Sequence, residues 1–302
     1  MDDLGIEYQT VLGLPPVDFV HLAAELGCRS ISMKPRGGGG LYNPYDYPTY
    51  SFLEDKPLRR RMAGALAADG VTISLGEGFI VQPGADLRDD RAALEVMAEF
   101  GVGRVNVVTL DPDLDRSFAQ FAAFAEAAAE YRMETVTEFS GSLTVSDLPT
   151  ALAAVRAVAR PDFTLLIDTM HVARSGATGA DLAGLPPASI GYLQLSDSSA
   201  RQRNTRYRDD SIDRDVPGDG ELPLIDLLLA LPDAVPVGVE APMLSRAAAG
   251  STAHECARLA VEGARRVLAE ARARRRPSAP ADEPIRQAGG VRLKSAVSAP
   301  EE

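Results

Sequence analysis

Residues 163–176 read FTLLIDTMHVARSG. The apolar run Phe163, Leu165, Leu166 and Ile167 stops at Asp168, and His171 follows three residues later. A short apolar run bounded by turn signals reads as a buried strand, and strands of parallel sheets are often apolar on both faces. A carboxylate and an imidazole at the exit of such a strand face away from the core, where chemistry is done. Three other runs end the same way, at Glu138 in METVTE, Gln194 in GYLQLSD and Glu240 in VPVGVE. These four polar groups are expected to converge on one metal ion.

Outward from that stretch, the chain alternates. Residues 6–12 read as a first strand, followed after Pro15 and Pro16 by the helical pattern VDFVHLAAELG. Further strands are read at 29–33, at 71–75 continuing through GEGFIV, and at 104–110, 133–138, 163–168, 190–195 and 235–240. Helical patterns lie between most of them, including 87–100, an alanine-rich 116–132, and one starting at Asp147 with Ser146 or Asp147 as its cap. A last helix is expected over 247–274. Eight short strands separated by helices imply a parallel sheet with helices outside, and about 275 residues suit a (β/α)₈ TIM barrel. The competing doubly wound sheet calls for a glycine fingerprint after its first strand, and GLPP is not one.

Residues 1–274 are thus assigned to the α/β barrel. Residues 275–302, rich in Pro, Ala, Arg and Glu without periodicity, read as a disordered tail. The segment 37–54 carries four tyrosines (Tyr42, Tyr45, Tyr47, Tyr50) and reads as a lid over the barrel mouth.

Composition narrows the function. With 302 residues and 45% hydrophobic content the chain can bury a large core, and a net charge of −12 argues against nucleic acid and offers no polybasic membrane patch. Cys28 and Cys256 lie far apart with no CxxC, so they read as buried small apolar residues. The acidic N-terminus has no signal-peptide core and no run reaches membrane-span length, so a cytoplasmic location is expected. Gly37–Gly40 lacks the GK[ST] of a phosphate loop, and FSGS at Phe139 is not a nucleophile elbow.

Three carboxylates brought together repel unless a cation neutralises them. Carboxylate and amide oxygens suit hard divalent ions, so the cofactor is expected to be Mn²⁺ or Mg²⁺, with Co²⁺ a further candidate. His171 is one of three histidines. His21 and His254 fall in amphipathic helices as packing or surface residues, whereas His171 can reach a substrate oxygen beside the metal or serve as a partner for Asp168. Glu77, in the loop that also carries Phe79 and Gln82, is placed with the lid among the groups that choose the substrate.

Glu138 in TEF, Asp168-x-x-His171, the QLSD stretch and Glu240 in GVEAP resemble the xylose-isomerase-like TIM-barrel superfamily. That group includes sugar-phosphate isomerases and epimerases, ketose 3-epimerases, inosose and 3-dehydroshikimate dehydratases and endonuclease IV. The resemblance spans about residues 5–272 in topology, with specific motifs in the second half. It implies a metal held by Glu138, Asp168, Gln194 and Glu240. It further implies that Glu138 and Glu240 flank the substrate and exchange its α-proton through a metal-stabilised enediolate. His171 would touch a substrate oxygen, and Arg214 would bind the substrate's far end, with Arg208 and Arg206 close enough to compete.

The sequence departs from the epimerase pattern at Gln194, where histidine is usual. Some 3-dehydroshikimate dehydratases share that glutamine and an arginine shortly before PGxGE. Three histidines cannot supply the multi-zinc site of endonuclease IV. The expectation is therefore a metal-dependent isomerase or epimerase of a keto-sugar or polyol. The alternative is a dehydratase acting on a cyclic keto-polyol such as 3-dehydroshikimate or an inosose. A third class, a barrel without chemistry serving as a binding subunit, fits poorly with three retained carboxylates. The partner is a small molecule, and the aromatic lid or helix faces could support a homodimer.

Overall fold

The computed structural model describes residues 4–38 and 43–275. The sequence-predicted tail beyond Arg275 and lid residues 39–42 lie outside the described residues. Eight strands close into a barrel: β1 Leu4–Ile6, β2 Ser30–Met33, β3 Thr72–Val81, β4 Arg104–Thr109, β5 Glu134–Glu138, β6 Phe163–Asp168, β7 Ile190–Leu195 and β8 Val237–Val239. Each pairs in parallel with its sequence neighbours, and β1 pairs with both β2 and β8 to close the ring. The (β/α)₈ barrel is the fold of this chain. Helices such as Leu114–Glu130 and Leu148–Val158 cover the outside.

The strand residues form two layers because side chains alternate every second residue. Outward-facing residues join the main core against the helices, where Phe79 meets Phe124 at 4.9 Å and Phe121 meets Phe163 at 5.9 Å between ring centroids. A second cluster, Leu75, Val136, Leu166 and Tyr192, is separate from that core. Val136, Leu166 and Tyr192 stand two residues before Glu138, Asp168 and Gln194, hence on the same face and one layer below. This apolar plug closes the barrel beneath the polar groups and leaves them open toward the C-terminal mouth.

The strands differ from the sequence reading in two informative places. The first ends at Ile6, and residues 8–11 form a 3₁₀ turn with Leu12 in the left-handed region (φ 46°). This ending leaves Glu7 at a strand exit. Strand β3 runs to Val81, as read through GEGFIV, so Glu77 and Phe79 lie in a strand and not in the expected loop, and it slips register against β4 between Gly76 and Phe79. The slip is a bulge in which Gly78 takes φ 93°, a conformation that favours glycine.

The last helix is two helices, Leu244–Ala248 and Ala253–Arg275. Gly250 at φ 102° breaks the first, and the Thr252 hydroxyl accepts from the Glu255 amide to start the second. Asp147 is the cap of Leu148–Val158, its side chain accepting from the Thr150 amide at 2.8 Å. Within the segment read from sequence as a lid, Arg36–Gly37 pairs antiparallel with Tyr50–Ser51. Cys28 and Cys256 are buried free thiols. Among the described residues no helix is long and apolar enough to cross a membrane.

Candidate active site

Each barrel strand delivers one polar side chain to the layer above the plug: Glu7, Ser32, Glu77, Asn106, Glu138, Asp168, Gln194 and Glu240. All but Glu138 are buried, and Glu138 is half-buried. Glu7 fits because Gly238 of β8 has no side chain; a Cβ there would overlap its carboxylate. The bulge in β3 turns Glu77 inward, where it accepts from Ser32 Oγ at 3.1 Å. On the opposite side Asn106 donates to Glu138 at 3.4 Å.

Gln194 stands at the centre of the acidic set. Its Nε2 lies 3.2 Å from Glu77, 3.4 Å from Glu7 and 3.4 Å from Glu240. Three acceptors surround the nitrogen, whereas Oε1 is buried without a hydrogen-bond partner. That contrast assigns the amide orientation, since turning it over would set its oxygen against carboxylates.

Asp168 closes β6 and caps the helix Thr169–Arg174. Its Oδ1 accepts from the Met170 amide (2.8 Å), the His171 amide (3.2 Å) and Ser196 Oγ (2.7 Å). Its Oδ2 accepts from Arg214 Nη1 at 2.6 Å, while Arg214 Nη2 reaches Glu240 Oε2 at 2.9 Å. The Arg214 side chain is 1% exposed. Its segment is pinned by Asp197, whose carboxylate accepts from the amides of Gly218, Gly220 and Leu222 in the turn that follows.

One guanidinium thus serves two carboxylates with opposite results. Burial alone would raise Asp168, but Arg214, His171 and the donated hydrogen bonds outweigh it and hold the carboxyl well below its usual range. Glu240 has fewer donors and faces Asp168, Glu138 and Glu77, so burial and repulsion push it far up despite Arg214. Glu7 is pushed up to about 8 by burial and by Glu77. Glu77 is raised by burial as well, partly offset by Lys34.

Above the ring opens a cavity of about 440 Å³. Of the residues singled out from sequence, Glu77, Glu138, His171, Arg208, Arg214 and Glu240 line it. Asp168 and Gln194 lie fully buried and do not line it. Arg206 is exposed, pairs with Asp209 at 2.9 Å and does not line it either. His21 and His254 are on the surface, His21 paired with Asp69.

Sequence reading missed Glu7, Asn106 and Tyr207. Tyr207 opens the short helix Tyr207–Ser211, and its hydroxyl lies 2.7 Å from His171 Nδ1. On the other ring nitrogen, His171 Nε2 lies 3.3 Å from Glu138 Oε1.

The residues fit a divalent cation. Ligand atoms of Glu138, Asp168 and His171 lie within 4.8 Å of one another. Gln194 Oε1 has no hydrogen-bond partner among the described residues, and Glu240 Oε1 accepts from Gln194 Nε2 at 3.4 Å. Five carboxyl groups share this layer near Arg214 and Lys34, and burial and mutual repulsion push Glu7, Glu77 and Glu240 toward their protonated forms; a bound cation would favour the ionised ones. An oxygen-rich donor set suits a hard ion.

Residues 20–265 match the family described as xylose isomerase-like TIM barrel. Among solved structures, an IolI protein with a bound zinc atom superposes with a TM-score of 0.72 at 19% identity, over 89% of this chain and 99% of that one. An L-ribulose 3-epimerase gives 0.67 at 15% identity, covering 91% of this chain and 97% of the other. A D-psicose 3-epimerase from Clostridium cellulolyticum H10, solved with D-tagatose, gives 0.66 at 14%, covering 90% and 99%. At such identities the likeness is one of fold, which many chemistries share. No curated protein matches the chain significantly.

Proposed function

We propose, for a chain that belongs to the xylose isomerase-like TIM-barrel family, that it is a divalent-metal-dependent isomerase or epimerase. Its substrate would be a keto-sugar or polyol whose proton beside a carbonyl is exchanged through an enediolate. The observation that carries this reading is the placement of Glu138 at the end of β5 and Glu240 just after β8, both lining one cavity with His171 and Arg214.

Glu138, Asp168, Gln194 and Glu240 would hold the ion, which when bound supplies Lewis-acid polarisation of a substrate carbonyl. The chain's own groups do the rest. Two strands, β6 and β7, separate the two glutamates around the ring, so a substrate seated between them presents a different face to each. One carboxylate takes the proton and the other returns it. His171 would offer an N–H to a substrate oxygen, and Arg214, which already donates to Asp168, Glu240 and the Ser211 carbonyl, would add at most its remaining Nη2 proton, its orientation set beforehand. The apolar plug beneath keeps water from entering through the barrel.

A dehydratase outcome on a cyclic keto-polyol is the second reading, and Glu77 favours it. A carboxyl raised by burial and lining the cavity can deliver a proton to a departing hydroxyl.

The test is a panel of ketoses, inososes and 3-dehydroshikimate followed by NMR in D₂O with added Mn²⁺, Mg²⁺ or Co²⁺. Deuterium entering beside the carbonyl without loss of water supports the isomerase. A new conjugated enone or aromatic absorbance supports the dehydratase. Glu138→Gln and Glu240→Gln are each expected to slow either reaction about 10²–10⁴-fold. Unchanged rates in both variants would refute the assignment.

A further inference from the structure

His171 sits between two groups that together decide where its proton lies. Nδ1 is 2.7 Å from the Tyr207 hydroxyl, and Nε2 is 3.3 Å from the Glu138 carboxylate. A neutral imidazole has one N–H and one bare lone pair. With Nδ1 protonated, the bare Nε2 lone pair would face a carboxylate oxygen, and the Tyr207 hydroxyl would have to accept. Its own proton would then point away from the imidazole, giving up the donation to Nδ1 that the 2.7 Å approach allows. With Nε2 protonated, both conflicts disappear: Tyr207 donates to Nδ1, and Nε2–H faces Glu138.

We propose that Tyr207 is a positioning residue that fixes His171 as the Nε2–H tautomer, making this imidazole a hydrogen-bond donor into the cavity rather than a metal ligand. The distinction matters because His171 is close enough to Glu138 and Asp168 to share an ion with them. A ligating Nε2 needs the lone pair that this tautomer does not have. In the proposed reaction, on which this consequence rests, Nε2–H is the donor to a substrate oxygen beside Glu138.

The fold builds the arrangement deliberately around Tyr207. Gly141 lets the ring in, since a Cβ at that position would come within 2.9 Å of the ring carbons. The two rings lie 5.5 Å apart at a 40° tilt. The helix that carries Tyr207 is tied down through fully buried Asp210, which accepts from the Arg203 and Asn204 amides at 2.8 Å each and from Arg174 Nη1 at 3.1 Å. Burial also raises the Tyr207 phenol, so the hydroxyl keeps the proton it donates.

The experiment is ¹⁵N NMR of the histidine side chains in the full chain at pH 8, before and after addition of Zn²⁺. Three histidines give a simple spectrum, and His171→Asn identifies the signal. The expected wild-type result is a protonated, pyrrole-type Nε2 and a bare, pyridine-type Nδ1, with the Nε2 proton retained after Zn²⁺. Tyr207→Phe, and Gly141→Ala, which displaces the ring, are expected to lose that preference. An Nδ1–H tautomer or an imidazolium in wild type would overturn the proposal, as would loss of the Nε2 proton on Zn²⁺ binding or an unchanged tautomer in Tyr207→Phe. Because the readout needs no turnover, a failed substrate panel leaves this result standing on its own.

Discussion

Arg214 Nη1 lies 2.6 Å from Asp168 Oδ2, and both side chains are sealed from solvent. The same guanidinium holds Glu240. Breaking a buried pair from one side leaves uncompensated charge, which costs about 3–5 kcal/mol. Arg214→Met is therefore expected to lower stability by that order, measured by urea unfolding with a chelator present. Arg214→Lys keeps the charge but cannot span both carboxylates, and should fall between the two. A stability within 1 kcal/mol of wild type for Arg214→Met, on the order of an exposed pair, would show that the bridge holds nothing.

Glu7 makes stability depend on pH in an unusual direction. Its carboxyl is raised to about 8 in the fold by burial and by Glu77, against about 4.3 in an unfolded chain. Between those values the native state holds a proton that the unfolded chain has released. The stabilisation is therefore complete below pH 4.3 and is lost as pH rises through 8. One extra proton corresponds to a slope of at most about −1.4 kcal/mol per pH unit. Urea midpoints taken from pH 5 to pH 8 should decline in wild type and flatten in Glu7→Gln. Equal slopes in the two proteins would contradict the assignment.

Gly238 and Glu7 compete for one volume. Gly238→Ala would press a methyl group into the Glu7 carboxylate, with the Tyr192 hydroxyl 2.9 Å away on the other side. Overpacking of this kind costs about 1–3 kcal/mol. The penalty should shrink when Glu7 is shortened to Ser, so a double-mutant cycle is expected to show favourable coupling of at least about 0.5 kcal/mol. Additive effects would mean that the barrel wall, not Glu7, sets the need for glycine.

The barrel and much of the site were legible because they are written locally. Apolar runs ending in Glu138, Asp168 and Glu240 mark strand exits by sequence alone, and the strand exits of a barrel share one face. Glu7 was not legible because LGIEYQTVL continues as an apolar pattern, which gave a strand over 6–12. The chain instead turns after Ile6, and only that turn makes Glu7 a strand-end group. Asn106 offered a fainter signal, a polar residue inside RVNVVT. Tyr207 offered none: it meets His171 across 36 residues, from a short helix in a polar segment. The break at Gly250 was readable in principle from the glycine followed by Ser and Thr, yet the helical spacing on both sides masked it.

The polar layer is proposed to hold one divalent ion through Glu138, Asp168, Gln194 and Glu240. Elemental analysis of the purified chain beside Asp168→Asn and Glu240→Gln tests it most directly. One equivalent of Mn, Mg, Co or Zn in wild type, lost in both variants while they remain folded by circular dichroism, is the predicted result. A wild-type protein that takes up no divalent metal, even after incubation with Mn²⁺ and Zn²⁺, would show that these four residues hold no ion.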